Sequence, residues 1–196
     1  LEIREKELGP NHSDTALALN NLADSYFDLA LYEKSLPLEI RAVAITKKVL
    51  GAEHPETINY LNNLASTYHK LGKFKKAIIL KKEVVKICKK NFGFEHTDTG
   101  LAINNLATYY SDLAQYDKAL LLNIRALEIF EKVLGHDHPH TAMALSNLAF
   151  TYGDLVQYEK ALPLQLRTLK IRETVFGPDH PDTAITFFRI IAFLNL

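Results

Sequence analysis

Three histidines alternate along one short segment, His136, His138 and His140, and imidazoles grouped in this way could hold a transition metal. The same histidine recurs without that company. His12, His54, His96 and His180 stand at the 42-residue spacing of His138, and none has a second imidazole beside it. A capping or loop-packing role covers all five, so no metal site is expected. Cys88 lies far from any Cys or His pattern and reads as a core or half-buried residue. The sequence holds no Gly-rich phosphate loop, no paired catalytic carboxylates and no Ser/His/Asp arrangement. It is therefore expected to be no enzyme and to need no cofactor.

Asparagine is the more suggestive residue. Asn20-Asn21, Asn62-Asn63, Asn104-Asn105 and Ser146-Asn147 recur in register. A carboxamide both donates and accepts, so it can bond a peptide backbone without reading its side chains. Paired asparagines in mid-helix sacrifice roughly 1 kcal/mol against alanines, and something must offset that loss. Two readings stand side by side: the amides meet a partner, or they bond between neighbouring helices, and both can hold at once. At about 100° per residue, Asn21 shares a stripe with Leu17, Asp24 and Asp28, away from Leu19, Leu22, Ala23 and Tyr26. The equivalent stripes are Asn59, Asn63, Ser66 and Lys70; Leu101, Asn105, Thr108 and Asp112; and Met143, Asn147, Phe150 and Asp154. The polar members of these stripes, with Phe150, are the candidate partner-binding residues. Their acids, Asp24, Asp28, Asp112 and Asp154, face only Lys70, which suits a partner of basic or hydrogen-bonding character.

Lys70, Lys73, Lys75, Lys76, Lys81, Lys82, Lys86, Lys89 and Lys90 make one stretch basic against Glu53, Glu56 and Glu83. Most of them fall where a second helix would turn its outer face to water, and a solvated face is the expected reading. Nucleic-acid binding would want basic and aromatic residues interleaved on one surface, which is missing. Lys+Arg and Asp+Glu balance at 23 each, so net charge supports neither a nucleic-acid nor a membrane partner. No run approaches the roughly 18 apolar residues of a membrane span. A single cysteine suits a reducing, cytoplasmic setting.

The elements that carry these residues follow from the period. Gly9, Gly51, Gly93, Gly135 and Gly177 lie 42 residues apart, as do Thr15, Thr57, Thr99, Thr141 and Thr183. Asn-Leu-Ala recurs from Asn21, Asn63, Asn105 and Asn147, and Tyr26, Tyr68, Tyr110 and Tyr152 follow each Leu by four. The full repeats are 9–50, 51–92, 93–134 and 135–176; residues 1–8 match the end of a preceding repeat and 177–196 the first helix of a fifth. Each repeat reads as two helices. The first opens near His-Pro-Asp/Glu-Thr, where Pro and an acid suit the first turn. Helices are expected near 13–30, 33–50, 55–72, 75–92, 97–114, 117–134, 139–156, 159–176 and 181–195. The second should close on a glycine in the left-handed region. A hairpin alone cannot bury both apolar faces, so the repeats must stack. The expected fold is all-α, a right-handed superhelix of antiparallel hairpins. The chain reads as an excerpt of a longer protein. Residues 184–194, with Phe187, Phe188, Ile190, Ile191 and Phe193, are apolar enough that self-association through them is expected.

The repeat resembles the tetratricopeptide repeats of kinesin light chains and their bacterial relatives. The residues that carry the likeness are Leu134-Gly135, His138-Pro139, Thr141-Ala142, Asn147-Leu148-Ala149, Tyr152, Tyr158, Ala161-Leu162-Pro163-Leu164, Arg167 and Ile171. It extends over the whole chain. It implies a concave groove, lined by the first helices, that holds extended or short helical peptides. The heptad coiled coil by which kinesin light chains join their heavy chain has no counterpart here. The carboxylate clamp of chaperone-binding relatives needs Lys and Arg on the groove stripe, where this chain has acids. The expected function is a protein-interaction scaffold with a peptide or partner segment in the groove. The alternatives are a sensor or autoinhibitory segment of a larger bacterial signalling protein, and a purely architectural spacer.

Overall fold

The computed structural model of the protein describes residues 1–194; Asn195 and Leu196, in the expected last helix and fifth repeat, lie outside the described residues. The described residues form helices and no strand: α1 (Glu2–Leu8), α2 (Ser13–Asp28), α3 (Tyr32–Val49), α4 (Pro55–Lys70), α5 (Phe74–Phe92), α6 (Thr97–Ser111), α7 (Tyr116–Leu134), α8 (Pro139–Asp154), α9 (Tyr158–Phe176) and α10 (Pro181–Leu194). Contacts divide the chain into two units, Leu1–Asn91 and Phe92 onward.

Each first helix is opened by the periodic histidine. In α2, α4, α6 and α8, Nδ1 of His12, His54, His96 and His138 accepts the backbone N–H two residues on, at 3.1–3.2 Å, and His180 does the same before α10. An acceptor at Nδ1 requires a neutral ring protonated on Nε2. The capping role that serine or aspartate usually fills is thus taken by imidazole. The periodic threonine fastens the loop from the other side. Oγ1 of Thr15, Thr57, Thr99, Thr141 and Thr183 donates to the carbonyl of the glycine six residues earlier, at 2.7–2.9 Å. Thr141→Val removes that hydroxyl at constant shape and is expected to cost about 0.5–1.5 kcal/mol in urea denaturation. No measurable loss would show the bond to be idle.

The turns differ from expectation in two ways. The glycines between repeats have positive φ, but ψ is 172° at Gly135 and 164° at Gly177. This is the extended, glycine-only region rather than the left-handed helical one. Within each hairpin the first helix stops two or three residues before the expected 30, 72, 114 and 156. There the chain enters a left-handed turn at Ala30, Gly72, Ala114 and Val156. The N–H of the following residue reaches back to the carbonyl of Tyr26, Tyr68, Tyr110 or Tyr152 at 2.8–2.9 Å, the long bond of a Schellman cap. The same tyrosine rings lie under Lys34, Lys76, Lys118 and Lys160, 5.4–5.8 Å from the ammonium.

In the N-terminal unit α2 packs on α3 and α3 on α4, and Lys81 of α5 bonds Asn62 of α4. Ala23, Ala65 and Ala77 are fully buried, as is Ser35, whose hydroxyl donates to the Ala23 carbonyl at 2.9 Å. Small side chains at these positions let the two helices of a hairpin approach closely. Leu19, Leu61, Leu64, Val84 and Ile87 fill the space between. In the C-terminal unit α6, α7, α8, α9 and α10 pack each on the next, with Ala107, Ala119, Ala149 and Ala161 in the corresponding small positions. Its core centres on Phe130, Ile129, Leu145 and Leu148. Cys88 is buried, as expected.

Candidate partner-binding face

On α2, α4, α6 and α8 none of the candidate residues is buried. Asn21, Asp28, Asn59, Lys70, Asn105, Thr108, Asp112 and Phe150 are exposed, and Asp24, Asn63, Ser66, Asn147 and Asp154 are half-buried. Thr108 and Ser66 turn their hydroxyls back to the helix, donating to the carbonyls of Asn104 and Asn62. Phe150 carries Arg189 over its ring at 5.8 Å. Burial holds the Asp154 carboxyl above the usual aspartate range.

The two members of each Asn pair have separate roles. The first member, Asn20 or Asn104, is buried, and so is Ser146. The second reaches back one repeat. Asn63 donates from Nδ2 to Asn20 Oδ1 at 3.2 Å and to Asp24 Oδ1 at 3.1 Å, while Asn20 donates to Asp24 Oδ2 at 2.8 Å. In the C-terminal unit Asn147 donates to Asn104 Oδ1 at 3.2 Å. Arg189, at the same place in the last helix, donates to Ser146 Oγ at 3.1 Å. A ladder between first helices therefore accounts for Asn63 and Asn147. Asn21 and Asn105, at the same repeat position, present their amides at the surface. The reading of amides bonded between neighbouring helices thus holds for Asn63 and Asn147.

A second periodic polar position, on the second helices, escaped the sequence reading. Glu39, Lys81, Asn123 and Gln165 lie 42 apart, and all are buried. Their phase was the available signal: each stands three residues before a core position, Ala42, Val84, Ala126 or Thr168. Glu39 Oε1 accepts from Thr67 Oγ1 at 2.8 Å, and Asn123 Nδ2 donates to Thr151 Oγ1 at 2.9 Å. Phe193 holds the position of Thr67 and Thr151 in the last helix, and the Gln165 amide has no hydrogen-bond partner among the described residues.

Lys81 corrects the expectation of a solvated outer face. It is 5% exposed and donates to Asn62 Oδ1 at 2.7 Å, and burial pulls its pKa down from 10.5 to about 8. Below that pH, folded and unfolded chains both hold the proton, and the cost of burying the charge is borne in full. As pH rises toward about 10.4, the folded chain loses the proton first, and stability climbs. Native protein should gain about 2–3 kcal/mol on the Lys81→Met variant across this window, by urea denaturation at its two ends. A flat difference would contradict the buried ammonium.

Burial likewise raises the carboxyls of Asp24 and Glu39 above their usual range. Hydrogen bonds from Asn20 and Thr67 oppose the shift, and Asp28 adds to it at Asp24, as Asp24 does at Glu39. The two carboxylates line one pocket of about 130 Å³ with Phe27, Asn63 and Ser66.

The alternating histidines do not converge on one point. His138 caps α8, His140 stacks on Phe130 at 5.7 Å, and His136 lies against Arg167 and Glu131. Burial lowers the His140 pKa, and His138 adds to the shift. Among the described residues no group of three or more His, Cys, Asp or Glu could hold a metal ion, and no helix is long and apolar enough to cross a membrane.

Hairpins joined by side-chain amide hydrogen bonds between first helices, capped and stapled alike in every repeat, define a class of helical-repeat protein. The tetratricopeptide repeat profile matches residues 14–90, 98–173 and 141–190, and the chain belongs to that family. Among solved structures it is similar to a putative kinesin light chain from Podosopora anserina with nearly identical repeats. The TM-score is 0.80 and the identity 24%, over 94% of this chain and 87% of that one. It is also similar to BtubC (BKLC) from P. vanneervenii, with a TM-score of 0.80 and 21% identity over 99% of this chain and 77% of that. The apo form of RapI matches with a TM-score of 0.77 and 17% identity over 99% and 73% of the two chains. At these identities the likeness is one of fold. A search of curated proteins gives no match.

Proposed function

We propose that the chain is a single array acting as a non-catalytic protein-interaction scaffold in the cytoplasm, and that a peptide or extended partner segment lies along the first-helix face. The observation that carries this is the split of the asparagine pairs. Where Asn63 and Asn147 are spent on the neighbouring repeat, the Asn21 and Asn105 side chains bond none of the described residues and keep donor and acceptor for a visitor. The acids Asp28 and Asp112 each stand about two turns beyond Asn21 and Asn105, at the ends of α2 and α6, both exposed, and favour a partner that brings positive charge or N–H donors.

Display of random peptides on the immobilised chain would supply a ligand. Amide hydrogen exchange with and without it would then locate the contact. Protection should rise on α2, α4, α6 and α8, around Asn21, Ser66 and Asn105. Protection confined to the outer residues of the second helices, such as Ile79, Lys86 and Leu121, would reject the reading.

Self-association through residues 184–194 is a second use of surface. Ile185, Phe187, Phe188, Ile191 and Leu194 are exposed there, while Thr186 and Ile190 turn inward. Sedimentation of native protein beside a Phe188→Ser variant tests it: a native chain that stays monomeric as concentration rises would exclude it.

A further inference from the structure

The pocket between α2, α3 and α4 has a chemistry that the amide ladder does not require. Glu39 is 1% exposed, and only one of its carboxylate oxygens is used: Oε1 accepts from Thr67, whereas Oε2 has no hydrogen-bond partner among the described residues. The Ser35 hydroxyl lies close enough to Glu39 to lower its pKa, but its single proton goes to the Ala23 carbonyl. Asp24, the second carboxylate of the pocket, accepts from the amides of Asn20 and Asn63, which leaves its charge uncompensated. Asn63, whose amide nitrogen is engaged with Asn20 and Asp24, keeps its carbonyl oxygen as a further acceptor. Phe27 completes the lining with an aromatic ring, packed edge-on to Tyr32 at 5.1 Å. A buried acceptor without a donor is costly, and two carboxylates sharing a small pocket repel. A ligand that brings several N–H donors and a positive charge relieves both. An aromatic wall is also a favourable neighbour for a cation.

We infer that this pocket, formed by Asp24, Glu39, Asn63, Ser66 and Phe27, is a subsite for the cationic end of an arginine or lysine side chain of the bound partner. The inference rests on the proposed groove for the partner backbone and adds a side-chain anchor to it. The subsite belongs to the N-terminal repeat pair. The residues at the repeat positions of Asp24 are Ser66, Thr108 and Phe150, and those at the positions of Glu39 are Lys81, Asn123 and Gln165. No other repeat carries both acids, so the anchor fixes where along the chain a partner's basic residue sits.

The test uses the full chain, labelled with ¹⁵N, and three probes. One is a capped pentapeptide of glycine with a central arginine. The second replaces the arginine by citrulline, its neutral isostere. The third is agmatine, a free guanidinium compound with no peptide backbone. The arginine peptide should move the resonances of Asp24, Asn63 and Ser66, including the Asn63 side-chain amide. The citrulline peptide should bind about tenfold more weakly, the usual worth of a hydrogen bond to a charged group. Glu39→Gln should bring the arginine peptide down to the citrulline level. That substitution places at position 39 the residue that the chain already tolerates at 165, and its fold can be checked by the dispersed resonances of α2, α3 and α4 in the free variant. Arginine and citrulline peptides of equal affinity, or arginine binding indifferent to Glu39→Gln, would overturn the inference. Agmatine binding as tightly as the arginine peptide, and sensitive to Glu39→Gln, would uphold the cation subsite while removing support from the groove reading.

Discussion

Replacing Phe130 by alanine should cost about 3–5 kcal/mol, the largest loss expected of any single side chain here. Phe130 is fully buried on α7, and its ring occupies space that α6 vacates at Gly100. A Cβ at Gly100 would lie 2.7 Å from Phe130 Cε1 and 3.1 Å from Ile129 Cγ2. Two effects of opposite sign therefore meet in Gly100→Ala. Alanine in a helix interior gains about 0.8–1 kcal/mol over glycine. Overpacking a filled core costs about 1–3 kcal/mol. Since 2.7 Å is closer than two carbons can stand, the ring must shift, and the clash should win. In a Phe130→Leu background the same change should become neutral or favourable, because the obstructing ring is gone. Urea denaturation of the four proteins in the cycle measures the coupling directly. Gly100→Ala stabilising the native protein would show that the ring has room to move.

Leu106→Ala should cost about 2–5 kcal/mol, and the loss should be local. Leu106 is buried in the middle of α6, and α6 packs on α7 and α8. In a repeat protein each element is held by its neighbours in sequence, so opening free energies fall in the damaged repeat and in those touching it. Native-state hydrogen exchange should therefore show weakened protection in α6, α7 and α8 while α2 and α3 keep theirs. Equal loss along every helix would mean that the chain unfolds as one indivisible unit.

Much of this was legible in the residues because the repeat prints the same physical solution several times. His54, Thr57 and Gly51 could be read as parts of one loop from their fixed spacing, and the cap and staple they form are the geometry that spacing served. Leu61, Leu64 and Ala65 fall on one stripe of the helical period, and all three are buried. Helix ends were less legible, since Ala30, Ala114 and Val156 adopt a conformation that their side chains do not advertise. Lys81 was misplaced for a different reason. Its neighbours Lys82 and Lys86 are exposed, and charge in a run hides the one member that shares the phase of Ile78 and Val85. The division of the asparagines could not be read at all. Asn63 and Asn105 occupy the same repeat position in the same motif, yet one amide is bonded and the other exposed.

Whether the exposed amides meet a partner is tested most directly by the dissociation constant of a selected peptide for the Asn105→Ala variant. Asn105 is exposed, and alanine is the better helix former, so the variant should melt no lower than the native chain. Its dissociation constant should rise about two- to tenfold, the net worth of one hydrogen bond. An unchanged dissociation constant in a variant that melts lower would contradict the account and return Asn105 to the scaffold.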